Sequence, residues 1–315
     1  MVSRVRWVAS SAVAVIAAVW WGVGVAVVQP ATQPDEMASN NSYWARDVRF
    51  MLIVLTLAAF VWAVAGDRRR AAAGLAGAVV WMGADVALDR AEVAGAGAAV
   101  AVSAVAVAAV AGAWFAASRG EPRPGRGALV LASAVAAVVA GLGSGIQSPT
   151  DTEATLAVSG LLVGLLGAGV ALGCVWTLAP TSRVAVFGAL AVVLVVATRL
   201  VSPDPAALPL GVLLASMLVA VLGVRAMDAR GVNMWAGMAV GAFALVLCSG
   251  AGAVIFDVVL PFGEPLTALA GNPPVNAADE DVLYTAVAVL TGLATGGVIA
   301  GGARGTAEPR PPAAA

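Results

Sequence analysis

The chain has 315 residues, 61% apolar and 11% charged, with a formal net charge of −1 and mean hydropathy +0.95. Soluble domains of this length carry far more charge, so the composition makes the bilayer the main solvent and excludes an ordinary soluble fold. All seventeen basic residues are arginine and histidine is absent, which removes phosphate-loop lysines, Schiff bases and the commonest metal ligand and general base.

Ten apolar stretches in the sequence are long enough to cross a hydrocarbon core as helices, which satisfy their own backbone hydrogen bonds there. The first, residues 7–28, follows the basic "MVSRVR" and has no clear small-x-small cleavage site before "QPATQPDE", so it reads as a retained span. A polar connection, "QPDEMASNNSYWARDVRF", leads into the second at 48–66. Three more follow at 71–88, 93–117 and 128–146. The second half supplies 157–178, 184–201, 209–224, 234–258 and 283–303. Residues 304–315 form a proline-rich tail that cannot bury a core, and disorder is expected there. The expected fold is an all-α, polytopic membrane helix bundle of about ten transmembrane helices, a single domain over 1–303. Only the connections 29–47 and 259–282 are long, and these are the candidate lids or docking surfaces.

Arginine placement tests the count, because positive residues are retained on the cytoplasmic side. Alternate connections collect thirteen arginines on one side and leave only Arg46, Arg49, Arg90 and Arg199 on the other. Fourteen of the eighteen acids fall on or near that second side. Both termini are thus expected in the cytoplasm, in a bacterial cytoplasmic membrane, with the two long connections outside.

Ionisable groups within spans are costly and point to function. Asp85, Arg199 and Asp257 each lie near the outer end of a span and share one depth, with Arg46 and Arg49 at the entrance. The expected binding cluster is therefore Asp85, Arg199, Asp257, Arg46 and Arg49. A purely structural alternative is an Asp85 to Arg199 pair tying two helices together. Asp85, Asp89 and Glu92 follow i, i+4, i+7 spacing, which puts three carboxylates on one face if the helix continues that far. Glycines at short spacing, Gly160, Gly164, Gly167 and Gly169 in one span and Gly292, Gly296, Gly297 and Gly301 in another, allow close helix approach. Cys174 and Cys248 sit in apolar runs with neither pairing nor ligand spacing, and neither cofactor nor metal is expected.

Three segments carry a family resemblance: "VWWGVGV" in the first span, "VRFMLIVLTLAAFVWAVAGDRRR" across the second, and "RGEPRPGRGALVLASAVAAVVAGLG" across the fifth. They resemble the Trp-Gly segment, the arginine-led second span and the glutamate-containing turn of the drug/metabolite transporter superfamily. The resemblance implies two five-helix halves and transport of a small metabolite or amphiphile. In the second half, "PFGEPLTALAG" departs from that pattern, since a long connection follows it instead of a span. A second reading is a non-catalytic scaffold or accessory subunit in cell-envelope assembly that docks an envelope protein on its outer loops. A third is a transferase using lipid-linked sugars, which "PDE", with Asp35 and Glu36, resembles in its acidic pair. The first two readings make the protein a non-enzyme whose partners are the bilayer and a small substrate or an envelope protein; no nucleic-acid role is expected.

Overall fold

The structure is a computed structural model describing residues 2–32, 44–146, 154–180, 183–201, 207–226, 250–251, 263–272 and 282–305. The expected span at 234–258, apart from 250–251, lies outside these residues, as do Asp257, Cys248, Asp35 and Glu36. Among the described residues every regular element is helical. In chain order they are α1 (Val2–Val23), α2 (Trp44–Ala63), α3 (Arg68–Arg90), α4 (Ala96–Ser118), α5 (Arg126–Ser144), α6 (Ala154–Leu178), α7 (Arg183–Val201), α8 (Ala207–Ala226), α9 (Gly263–Leu269) and α10 (Leu283–Gly305).

Eight of these are long and apolar enough to cross a membrane. Among the expected spans that are described, the exception is α2, which carries Arg46, Asp47 and Arg49 in its first two turns and is buried at every residue except Leu57. Its helix starts at Trp44 rather than 48, because those charges find partners inside the protein. Short α9 was not anticipated within the connection 259–282; its end is tied to α3, where Arg90 Nη1 donates to the Leu269 carbonyl at 3.0 Å. At the C-terminus, α10 extends to Gly305, two residues into the expected tail, and 306–315 lie outside the described residues.

The centre of the bundle is α5, which packs on α6, α8, α10 and α2. In a bilayer, lipid is as apolar as leucine, so close dispersion contact must hold helices together. Small residues provide it. A Cβ on Gly167 would sit 2.8 Å from the Ala136 carbonyl oxygen of α5, and one on Gly292 would sit 2.5 Å from Val135 Cα. Gly169, Gly297 and Gly301 instead meet open space, so only part of the glycine pattern is a packing device. Outward-facing Val79, Val80, Val186, Leu200 and Val298 are exposed, as lipid-facing side chains must be.

Arginines of alternate connections gather at one end. Arg6 Nε donates to the Ala63 carbonyl at 3.1 Å, Arg70 Nη1 to the Ala117 carbonyl at 2.7 Å, and Arg126 to the Ala226 carbonyl. Asp67 organises the same end. It caps α3 by accepting from the Arg69 and Arg70 amides and reaches the Arg123 amide at 2.7 Å. These three backbone donors, Arg123 first, hold its carboxyl below the usual range.

One helix is thinly packed. Rich in alanine and glycine, α3 has only Ala78 and Asp85 buried along its length. Apolar clefts of about 380 Å³ and 390 Å³ lie on its two sides, the first between it, α2 and α4, the second between it, α2, α5 and α10.

Candidate functional site

At the end of the bundle opposite the arginine-rich connections, α1, α2 and α3 enclose a charge network. Arg46 and Arg49 lie three residues apart on α2, and Asp85 and Asp89 four apart on α3, so each pair occupies one helix face. Arg49 grips Asp85 with two parallel bonds, Nε to Oδ1 and Nη2 to Oδ2, both 2.9 Å. Its Nη2 also reaches Asp89 Oδ2 at 3.0 Å, and Arg46 meets the same oxygen through Nε at 3.0 Å and Nη2 at 2.6 Å. Both arginines and Asp85 have no exposed surface, and the Asp89 side chain is 8% exposed. The paired forks suit burial, since guanidinium geometry matches a carboxylate bidentately.

Two groups from α1 complete the enclosure. The Trp21 indole N–H donates to Asp85 Oδ1 at 2.7 Å, and Arg49 Nη1 donates to Gln29 Oε1 at 3.0 Å. Gln29 reaches this position because α1 does not stop at its expected end. It continues as a π-helical segment, Gly24–Val28, and then to Thr32. Such segments widen the turn and release backbone groups, and here the Ala26 carbonyl accepts the Gly95 amide at 2.8 Å. Gly24 is required for space, because a Cβ there would lie 2.9 Å from Arg49 Cγ. Gln29 Nε2 is buried with no partner among the described residues, leaving a donor directed at no protein acceptor among them.

Asp47 faces another way. Its carboxylate accepts from the Tyr284 amide at 3.1 Å and from the Thr285 amide and hydroxyl at 2.7 and 2.6 Å. It thereby caps the first turn of α10, placing negative charge at a helix N-terminus with unsatisfied amides.

The structure brings together three of the five expected site residues, Arg46, Arg49 and Asp85. Arg199 sits elsewhere: its Nη1 donates to the Ser144 and Ile146 carbonyls at the end of α5, at 3.1 and 2.7 Å, and Asp85 takes Arg49 and Trp21 as its partners. The third carboxylate of the i, i+4, i+7 series does not join, because α3 ends at Arg90 and Glu92 turns away with φ +52, exposed. Sequence reasoning missed Gln29 and Trp21. The polar residue just past an apolar run, preceded by Gly24, was the available sign of the first.

Comparison with family models, with curated proteins and with solved structures found no match.

Proposed function

We propose that this chain is a transporter-like membrane protein that moves a small metabolite or amphiphile by alternating access, with α3 as the moving helix and Arg46, Arg49, Asp85 and Asp89 as its latch. The observation carrying this reading is the balanced, sealed network at one end of an otherwise thinly packed helix. Burying an ion pair gains little stability over an apolar contact of the same size, so holding two helices together is a weak reason for one. A pair that can be neutralised is suited to switching. Neutralising Asp85 or Asp89 leaves two guanidinium groups sharing one carboxylate and loosens the α2–α3 junction. The cleft between α3, α2, α5 and α10 gives the freed helix room to shift.

On this reading the arginine-rich end faces the cytoplasm and the latch faces outward, while Arg199 holds carbonyls at the end of α5. It agrees with the drug/metabolite transporter resemblance in the first half of the chain. The test uses a single cysteine at Ala78, in a background lacking Cys174 and Cys248, and a membrane-impermeant thiol reagent on vesicles. Labelling is slow in the parent and faster in Asp85→Asn/Asp89→Asn; equal rates would remove the latch. Transport itself is tested by screening accumulation of labelled amphiphiles in energised vesicles, and a panel unaffected by Arg49→Gln and Asp85→Asn would remove that claim.

The scaffold reading draws on a different observation: the network's charges are consumed by internal partners. Cross-linking from residues 35–47 and 262–281 to a stoichiometric envelope partner would favour it. The transferase reading rests on Asp35 and Glu36 alone and predicts a metal-dependent activity abolished by Asp35→Asn.

A further inference from the structure

We propose that the cleft between α2, α3 and α4 is a specific binding site for one acyl chain of an anionic phospholipid from the leaflet at the arginine-rich end. This does not rest on the transport reading. The two helices α3 and α4 are joined by a short turn, yet they barely touch, and both pack chiefly on other elements. The gap between them is lined by Leu57 and Phe60 of α2, Gly77 and Trp81 of α3, and Ala113 and Trp114 of α4. It runs from Arg70 to Trp81, which on helical rise is about 16 Å, one leaflet of a ~30 Å hydrocarbon core. A void of this shape within the protein's lipid-facing half is filled by a chain, not by water, because its walls offer almost no polar atoms.

The mouth selects the headgroup. Arg70 lines the cleft, and Arg68, Arg69, Arg119, Arg123 and Arg126 are exposed around the same end. Among the described residues the acids there are Asp67, engaged by backbone amides, and exposed Glu121. Arg119 is held over the Phe115 ring at 4.6 Å, on the outer face of α4 beside the mouth. This excess of guanidinium charge complements a phosphate, and each arginine near an anionic lipid surface strengthens association about fivefold.

A second observation lies one turn deeper. Trp114 lines the cleft, edge-on to Phe60 at 5.0 Å, and its buried indole N–H has no partner among the described residues. Arg70 Nη1 bonds the Ala117 carbonyl, which sets Trp114 about one helical turn below the guanidinium. An ester carbonyl follows a phosphate at that depth, and a small rotation of the indole would bring the orphaned donor to it. At its far end the cleft stops at Trp81, which is edge-on to Trp21 at 5.2 Å, and Trp21 donates to Asp85. The seated chain therefore touches the wall that orients the charge network.

The full-length protein is reconstituted in phosphatidylcholine vesicles containing a trace of phosphatidylglycerol or phosphatidylcholine with a diazirine-bearing acyl chain. After irradiation, adducts are mapped by mass spectrometry. Adducts concentrated on residues 74–81 and 109–117, at least fivefold more for phosphatidylglycerol, are the expected result. Gly77→Leu projects into the cleft that Gly77 lines, and its Cβ meets nothing within 4 Å. It should abolish those adducts with the unfolding transition unchanged, and Arg69→Gln/Arg119→Gln should erase the preference for phosphatidylglycerol. Adducts spread evenly onto lipid-facing α7, equal labelling by the two lipids, or full labelling in Gly77→Leu would each overturn the proposal. Because the readout is lipid attachment, its failure is separable from failure of the latch in the cysteine assay.

Discussion

Arg49→Met is the most direct perturbation of the charge network. The substitution removes both bonds to Asp85, the bond to Asp89 and the bond to Gln29 Oε1, and leaves Asp85, with no exposed surface, holding only the Trp21 N–H. Stranding one member of a buried ion pair costs about 3–5 kcal/mol, or about two to four powers of ten in the folded-to-unfolded ratio. Asp85→Leu alone should cost a similar amount, since buried Arg46 and Arg49 then share the single carboxylate of Asp89, one positive charge in excess. In the double variant Arg49→Met/Asp85→Leu the stranded charges are gone, and the remaining penalty is roughly 1–3 kcal/mol each for the orphaned Trp21 donor and Gln29 acceptor. Unfolding by sodium dodecyl sulfate in mixed micelles, followed by tryptophan fluorescence, measures all three. The two residues should show a coupling energy of several kcal/mol. A double variant as unstable as the sum of the singles would mean the residues act independently, and the reasoning from the 2.9 Å pairing would fail.

The cap on α10 predicts that Asp47→Ala lowers stability by roughly 1–2 kcal/mol, with faster amide hydrogen exchange at Tyr284 and Thr285; unchanged exchange would contradict the cap. The tight interhelical contact predicts that Gly167→Val destabilises by about 1–3 kcal/mol, whereas Gly169→Val, facing open space, stays within about ±0.5 kcal/mol in the same unfolding assay. Asp67 has a depressed folded pKa, so its contribution is fully present above its unfolded value near 3.8 and is lost as pH falls through the lower folded value. Unfolding midpoints measured downward from pH 5 should fall in the parent and fall less in Asp67→Asn; parallel curves would refute this.

Hydropathy made most helices legible because the bilayer imposes one requirement, a run of apolar residues long enough to span, and α1, α3–α8 and α10 meet it. It placed the start of α2 four residues late because a residue-by-residue scale treats Arg46, Asp47 and Arg49 as solvated, whereas each has partners within the protein. Depth along a helix could be read from the limits of each span. Rotation about the helix axis could not. Arg49 and Arg199 fit the same depth argument, and only packing decides that the first faces Asp85 while the second bonds carbonyls at the end of α5. The carboxylate series failed at Glu92 for a local reason: the chain takes positive φ there and again at Gly95, which ends α3 before the third acid can align.

The cap that Asp47 provides for α10 also constrains how the chain is made. The carboxylate and the Thr285 amide it binds are separated by 238 positions, so α10, made long after α2, finds its terminus prepared by it. Until then the early helices hold an unmatched carboxylate under the membrane surface. The emergence of α10 is therefore a lock-in step, and a chain cut anywhere between α2 and α10 retains complementary ends through which two separately produced pieces can find each other.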